Sequence, residues 1–193
     1  MNENNLRCLP MQSDMITSLL KEFDDMIDSL LNDFKKFNAD EDALAFIAKR
    51  TRSFIASTDL ALNNIIFKVL EKMEDDKFDF NKQINESKVI VKVIFEKINQ
   101  WIDHILEHEQ EEEEHIHGHD HHHHHIHIDL DEVQDDINSI SDYLQQLKLL
   151  FNSIIEMLIS SARYHNNDIS DDDYQKANQR FKQEITDISN NVK

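Results

Sequence analysis

Residues 130–158 decide the fold, and they read LDEVQDDINSISDYLQQLKLLFNSIIEML. Apolar side chains recur through this stretch at intervals of three and four residues without a slip. This spacing is the a/d seam of a helix that packs against other helices. Leu150 and Ile155 widen the apolar stripe beyond a bare coiled-coil seam, as is typical of a helix inside a bundle. The seam consists of Leu130, Val133, Ile137, Ile140, Leu144, Leu147, Phe151, Ile154 and Leu158.

The same spacing extends over most of the chain and predicts an all-α fold. Before the seam, one helix is predicted from Met15, Leu19, Phe23, Met26, Leu30, Phe34 and Phe37. Two more are predicted from Leu44, Ile47 and Phe54, and from Leu62, Ile65, Ile66, Val69 and Leu70. A fourth carries Ile94, Ile98, Trp101 and Ile105, and a helix after the seam carries Tyr174, Phe181, Ile185 and Ile188. Asp40 and Ser170 are the expected N-caps, because an oxygen there accepts a hydrogen bond from a free N–H of the first turn.

The breaks between these helices predict the domain organisation. We expect a flexible N-terminus over residues 1–10 and a helical domain over 11–76, followed by a connecting helix over 84–108. Residues 109–127 have the composition of a low-complexity linker, and residues 128–193 are expected to form a C-terminal bundle segment. The whole chain of 193 residues contains one Gly and one Pro, which agrees with long helices and argues against sheets.

The charge and the cysteine count narrow the classes of partner. The formal charge of −19 argues against nucleic acid, because proteins bind it mainly through Lys and Arg contacts to phosphates. The same charge disfavours anionic membrane surfaces. The apolar runs fall short of the roughly 20 residues that span a bilayer, so we expect no transmembrane segment. Cys8 is the single cysteine and excludes a disulfide framework, which favours a cytoplasmic location.

A histidine run is the clearest chemical signal in the sequence. Nine of the thirteen residues from His115 to His127 are His, and imidazole binds zinc, nickel and copper. A flexible run lacks the fixed geometry and supporting hydrogen bonds of a specific site. We therefore predict no metal site, and a linker that the fold does not need. His104 and His108 could share a metal or simply face solvent. The weak metal candidates within the run are His121, His122, His123, His124 and His125.

The sequence carries no recognisable catalytic motif. It has no phosphate-binding glycine loop, no nucleophile elbow and no HExxH motif. Its many carboxylates fit solvated helix faces, and we expect neither an enzyme nor a bound cofactor. Lys49, Arg50 and Arg52 form a small basic cluster, which could meet an acidic partner or a phosphoinositide, or form ion pairs within the chain.

Two stretches of the sequence resemble a known family. The first is Ile65-Ile66-Phe67-Lys68-Val69-Leu70-Glu71-Lys72, followed by Phe80. The second is Val133-Gln134-Asp135-Asp136-Ile137-Asn138 with Tyr143-Leu144-Gln145-Gln146-Leu147-Lys148, and residues 174–193 match more weakly. Both stretches are similar to the programmed cell death protein 10 family, whose members are adaptors. The segment between them is longer here, and the Glu- and His-rich linker accounts for the difference.

The resemblance implies an N-terminal helical dimerisation domain and a C-terminal bundle like the focal adhesion targeting domain, here lacking the last helix. It implies a homodimer, which is replaced by a complex when a sterile-20-like kinase of germinal centre group III binds. It also implies binding to a striatin-type scaffold of phosphatase–kinase assemblies, in a cytoplasmic, Golgi-associated or cortical setting. In the family, groove lysines hold acidic motifs. Lys148 matches one of them and Lys193 a second, whereas Ile155 and Thr186 stand where two more are expected.

These patterns assign two candidate binding surfaces. After the linker only two helices are predicted, and a third over 84–108 leaves part of the seam uncovered. An uncovered apolar stripe generally marks an interaction site. The first surface, expected at the dimer and kinase interface, is an apolar ridge of Ile65, Ile66, Val69 and Leu70. The second is a C-terminal groove along Leu147, Phe151, Ile154 and Leu158, with Lys148 and Lys193.

The function expected from these features is that of a scaffold adaptor. It would dimerise through residues 11–76 and recruit a kinase of the group named above. A second hypothesis is a structural bundle subunit of a trafficking or tethering complex that acts through its heptad seam. A third is a metal buffer that uses the histidine run.

Overall fold

A computed structural model describes residues 3–73, 80–110 and 129–192 of the chain. The described residues form five helices, which confirms the all-α fold class. The helices are α1 (Glu3–Lys36), α2 (Glu41–Leu70), α3 (Phe80–Gln110), α4 (Leu130–His165) and α5 (Asp171–Val192). Within α2, a π-helical turn over Leu62–Ile66 separates an α-helix over Glu41–Ala61 from a last turn over Phe67–Leu70.

Helices α1 to α4 form an antiparallel bundle in which α4 closes the ring against α1. Helix α5 runs back along α4 and lies against both α3 and α4. Neighbouring helices are antiparallel, because the residue numbers of successive contacts rise along one helix and fall along the other. The contacts that show this are Asp24–Asn152 and Asp28–Lys148 between α1 and α4, Arg52–Asp103 and Glu71–Lys88 between α2 and α3, and Lys97–Tyr143 and His104–Asp136 between α3 and α4.

One hydrophobic core runs through all five helices. The apolar stripe of α4 is wide enough to meet three neighbours, and α1, α3 and α5 cover it. The predicted division into a dimerisation domain over 11–76 and a bundle segment over 128–193 is therefore wrong, because α1 packs on α4 as well as on α2. The core side chains of α1 are Ile16, Leu20, Phe23, Ile27, Leu30 and Phe34, whereas Met15 and Met26, predicted on this stripe, are exposed.

Two predicted boundaries also differ from the structure. Helix α1 begins at Glu3, so most of the segment expected to be a flexible N-terminus is helical, with Pro10 inside the helix. A proline removes one backbone hydrogen bond, and a helix of 34 residues keeps the others. The two helices predicted between residues 44 and 70 are one continuous helix, because neither Gly nor Pro stands between them.

Both predicted N-caps are confirmed. Oδ1 of Asp40 accepts a hydrogen bond from the Ala43 N–H at 3.1 Å, and Oγ of Ser170 accepts one from the Asp173 N–H at 3.1 Å. The turns that precede these caps contain backbone in the left-handed region. The residues concerned are Asn38 with φ 51°, Ala39 with φ 57° and Asn167 with φ 60°.

Candidate protein-binding surface

The outward face of α2 carries three large apolar side chains that the bundle leaves uncovered. Phe46 and Leu60 are each 66% exposed, and Ile65 is 42% exposed. Nearly four helical turns separate Phe46 from Leu60, which places them within about 40° of each other around the helix. Ser53 and Ser57 lie between them, and their hydroxyls donate to carbonyl oxygens of their own helix. We call Phe46, Ser53, Ser57, Leu60 and Ile65 the outer stripe.

The π-helical turn keeps the inner and outer faces of α2 in phase. The backbone N–H of Phe67 donates to the carbonyl oxygen of Leu62, five residues earlier. In a regular α-helix, Leu62 and Leu70 would point about 80° apart. The π turn absorbs about one residue, and both leucines are buried. The same adjustment leaves Ile65 exposed.

A groove of about 710 Å³ between α2 and α3 adjoins the outer stripe. Its floor is apolar and consists of Ile55, Val91 and Phe95, which are all buried. Ala56 lines the groove and stands one helical turn before Leu60, on the same side of α2. The groove and the outer stripe therefore form one continuous surface.

Charged residues of both signs stand on the rim of this groove. Arg52 pairs with Asp103 across one end, and Lys88 pairs with Glu71 across the other. The remaining charged residues of the rim are Asp59, Lys92 and Glu96. An apolar floor between balanced charges suits an amphipathic helix, whose apolar face can lie on the floor while its polar face meets the rim.

The structure divides the predicted N-terminal ridge between the core and the surface. Ile66 and Leu70 are 0% and 1% exposed, Val69 is half-buried, and Ile65 alone of the four is exposed. Ile66 and Leu70 are thus unavailable as interface residues in the folded chain, because both side chains point into the core of the bundle. Phe46 and Leu60 were missed by the sequence analysis. In the sequence, each of these two residues is an apolar residue that lies out of phase with the core stripe of α2.

The predicted C-terminal groove is filled by α1, so this prediction is wrong. Leu147, Phe151 and Ile154 are 0% exposed, and Leu158 is 1% exposed. The ring of Phe23 in α1 lies 6.0 Å from that of Phe151, centroid to centroid. The helix missing from the predicted bundle is thus supplied from the N-terminal part of the same chain.

Lys148 binds carboxylates of α1. Its ammonium group pairs with Asp28 and lies 3.5 Å from Asp24. The hydrogen bond to Asp28, with the attraction of both aspartates, raises the pKa of Lys148 and outweighs its partial burial. Asp24, Asp25 and Asp28 are close enough to hold a cation. The cation that the structure places there is the ammonium group of Lys148, which is the groove lysine implied by the family resemblance.

The basic cluster and His104 also form contacts within the chain. Arg50 pairs with Asp33 and donates to Ser29 Oγ at 3.1 Å, and Arg52 pairs with Asp103 as described. These contacts favour ion pairing within the chain as the role of the two arginines. His104 hydrogen-bonds Asp136 of α4, and this bond is the main cause of its raised pKa.

Several predicted residues lie outside the described part of the chain. Lys193 follows the last described residue, and the histidine run with His121–His125 falls in the undescribed segment before α4. The predictions for the histidine run and for Lys193 therefore stay predictions.

Helix α2 is also the one described helix whose length and composition would permit it to cross a membrane. Its most apolar window has a mean hydropathy of 1.2, and 39% of that window is buried in the bundle. The ion pairs of Arg50 and Arg52 tie the same helix to α1 and α3, as expected of a bundle helix. The absence of a transmembrane segment stays a prediction.

Comparison with known proteins adds no relative. No family model matches the chain, and no curated protein and no solved structure is similar to it. The resemblance to the programmed cell death protein 10 family therefore rests on the quoted sequence stretches.

Proposed function

We propose that this chain is a non-catalytic adaptor that binds helical segments of other proteins through the outer stripe and the adjoining groove between α2 and α3. The observation that carries the proposal is the continuity of these two features. Single exposed apolar residues are ordinary on a protein surface. Here three large ones share one helix face and border an apolar groove.

Burial of the outer stripe by a partner would contribute favourably to the free energy of binding. Full burial of a Phe or Leu side chain contributes about 1.5–3 kcal/mol, and about two thirds of Phe46 and of Leu60 is still exposed. The rim cations Arg52, Lys88 and Lys92 already have carboxylate partners within the chain, so a helix bound in the groove does not have to compensate them.

The family resemblance indicates which class of partner to propose. The first resembling stretch, residues 65–72, lies at the end of α2, where the outer stripe also ends. We therefore propose a sterile-20-like kinase of germinal centre group III as the partner, with a second copy of the chain in its place when the kinase is absent. Recruitment of that kinase to a striatin-type assembly, in the cytoplasm or at the Golgi, completes the proposal.

The test uses Phe46→Asp and Leu60→Asp, singly and together. We expect each charge to weaken self-association and the binding of a purified kinase tail by about tenfold or more, because burial of an unpaired charge is costly. Sedimentation velocity and calorimetry measure the two interactions. Circular dichroism should remain unchanged, since both positions are exposed.

The matched control is Leu149→Asp, which places a charge at a 51% exposed leucine on α4. Both interactions should survive this substitution. Retention of both interactions by the Phe46→Asp/Leu60→Asp variant would exclude the surface as the binding site.

A further inference from the structure

The connection between α1 and α2 is short and strained. Residues 37–40 reverse the chain, and Asn38 and Ala39 both adopt left-handed backbone, with φ of 51° and 57°. Neither is glycine, which adopts this conformation without steric cost. In Ala39 the Cβ crowds the carbonyl that follows it. Short connections under strain favour exchange of the elements that they join.

Residues 37–40 are the covalent link between α1 and the other described helices. Its apolar stripe packs on α2 and α4, and its polar anchors on α4 are fixed in register. Lys148 holds Asp24 and Asp28, and Asn152 Nδ2 donates to Asp24 Oδ1 at 3.3 Å. The site for α1 on α4 would accept the same helix from another copy with every one of these contacts preserved.

The sequence of the connection permits an open form. Residues 37–40 are Phe-Asn-Ala-Asp and contain neither Gly nor Pro. In the absence of a helix breaker, α1 and α2 can join into one continuous helix. Opening removes both left-handed residues and forms helical hydrogen bonds through the hinge. It gives up the Asp40 cap of α2, and it separates α1 from its own bundle.

We propose that two copies of this chain exchange α1, so that α1 of each copy fills the site on α4 of the other. The same helix, α1, fills the site on α4 in the monomer and in the dimer. In the dimer, however, α1 belongs to the other copy of the chain. This inference does not rest on the outer stripe or on the proposed kinase partner. It adds a second mode of self-association that is encoded in the hinge.

The first test refolds the full-length chain from urea at low and at high concentration and measures mass by size exclusion with light scattering. We expect a dimer fraction that rises with the refolding concentration. Asn38→Gly/Ala39→Gly relaxes the closed hinge and should lower that fraction at least several-fold. Deletion of residues 38–40 leaves too little chain for the reversal and should give only dimer.

Asn167→Gly is the matched control. Asn167 is also left-handed in a turn, between α4 and α5, so it adds the same backbone freedom at a site that does not join α1 to the bundle. Its dimer fraction should equal that of the unaltered chain. Equal dimer fractions in the unaltered chain and in Asn38→Gly/Ala39→Gly would overturn the proposal, whether or not the deletion variant folds.

A second test identifies which chain supplies α1. A carbodiimide joins the ammonium group of Lys148 to the carboxylate of Asp28, which are paired in the structure. A mixture of ¹⁵N-labelled and unlabelled chains is refolded and cross-linked, and the dimer is analysed by mass spectrometry. Exchange predicts that cross-linked peptide pairs joining residue 28 to residue 148 include pairs with one labelled and one unlabelled peptide. A complete absence of such mixed pairs would refute it. A dimer that is lost in Phe46→Asp/Leu60→Asp and has uniform pairs belongs to the outer stripe instead.

Discussion

Lys148 stabilises the packing of α1 on α4 by neutralising aspartates that would otherwise repel one another. Asp24, Asp25 and Asp28 are crowded on one side of α1, and the Lys148 side chain is only 29% exposed. A cation in this position attracts two carboxylates and shields them from each other. The family resemblance assigns this lysine to an acidic ligand, and the acidic ligand found in the structure is α1 itself.

We predict that Lys148→Met lowers the free energy of unfolding by about 1 kcal/mol, because the aspartates lose their cation while the methionine keeps most of the apolar stem of the lysine. Urea titration at neutral pH measures the change. The control is Lys176→Met, whose ion pair with Asp172 is more than 70% exposed on both sides and should matter by less than about 0.5 kcal/mol. Equal losses in the two variants would contradict the assignment.

His104 is a pH-dependent contact between α3 and α4. Its pKa is raised from 6.5, mainly by the hydrogen bond to Asp136; burial opposes this shift, and the charges of Asp136, Glu107 and Glu132 add to it. The protonated imidazole is thus favoured in the folded chain. Its stabilising effect is complete below the ordinary pKa and is lost as the pH rises through the raised one.

We therefore predict that His104→Gln lowers the thermal midpoint slightly at pH values below 6.5, and that this deficit shrinks as the pH rises above the folded-state pKa. The effect is small because the imidazole is half exposed. Thermal melts across this pH range measure it. In an Asp136→Asn background the deficit should depend much less on pH, because only the charges of Glu107 and Glu132 still favour the protonated imidazole. A deficit that grows with pH would reverse the assigned sign.

Helix α2 shows how a local irregularity sets the faces of a whole element. The apolar pattern before Ala61 and the pattern after Ile66 are out of phase by about one residue in a regular helix. The π turn removes this mismatch, with Asn63 and Asn64 on its exposed side. It buries Leu70 and leaves Ile65 outside, so it determines which residues of the predicted ridge are available to a partner.

We predict that deletion of Asn64 is tolerated. Loss of one residue from a π turn gives a regular α-helix with the same buried face, so the thermal midpoint should change by only a few degrees. Deletion of Ser57, an equally exposed residue in the α-helical part, rotates everything after it by about 100° and should abolish the cooperative melt. Similar damage from both deletions would show that the π turn does not correct the register.

At the scale of the molecule, α1 is the helix that completes the bundle. It covers the part of the α4 stripe that α3 and α5 leave open. It brings at least six large apolar side chains into the core, each contributing about 1.5–3 kcal/mol. That sum is comparable with the total stability of a domain, about 5–15 kcal/mol.

We predict that removal of residues 1–40 abolishes cooperative unfolding and leaves a helical state that binds a hydrophobic dye. The newly exposed surface includes Leu147, Phe151 and Ile154. The comparison is a chain that lacks only residues 1–11, and it should keep its cooperative melt because the six core side chains from Ile16 to Phe34 remain. Dye-free, cooperative melting of the 41–193 fragment would mean that α4 is covered without α1.

Features that depend on neighbouring residues were largely predictable. The three–four spacing of the seam predicted α4, and the caps at Asp40 and Ser170 were confirmed, because a cap is a bond between residues three apart in sequence. The outer stripe was less accessible to sequence reasoning. Phe46 and Leu60 are apolar residues off the core face, and their exposure is known only after the core face has been assigned.

The sequence by itself determined that this chain is helical, where the capped turns before α2 and α5 lie and which stripe of α4 is apolar, since these follow from side-chain spacing and local hydrogen bonds. Which stripe packs against which was decided only by the tertiary structure. Periodicity cannot distinguish between two helices whose stripes are equally apolar. Packing selects the pair of helices whose shapes and charges match, as Phe23 matches Phe151 and Asp28 matches Lys148. For that reason the groove predicted on α4 is occupied by α1, and the exposed apolar surface lies on α2.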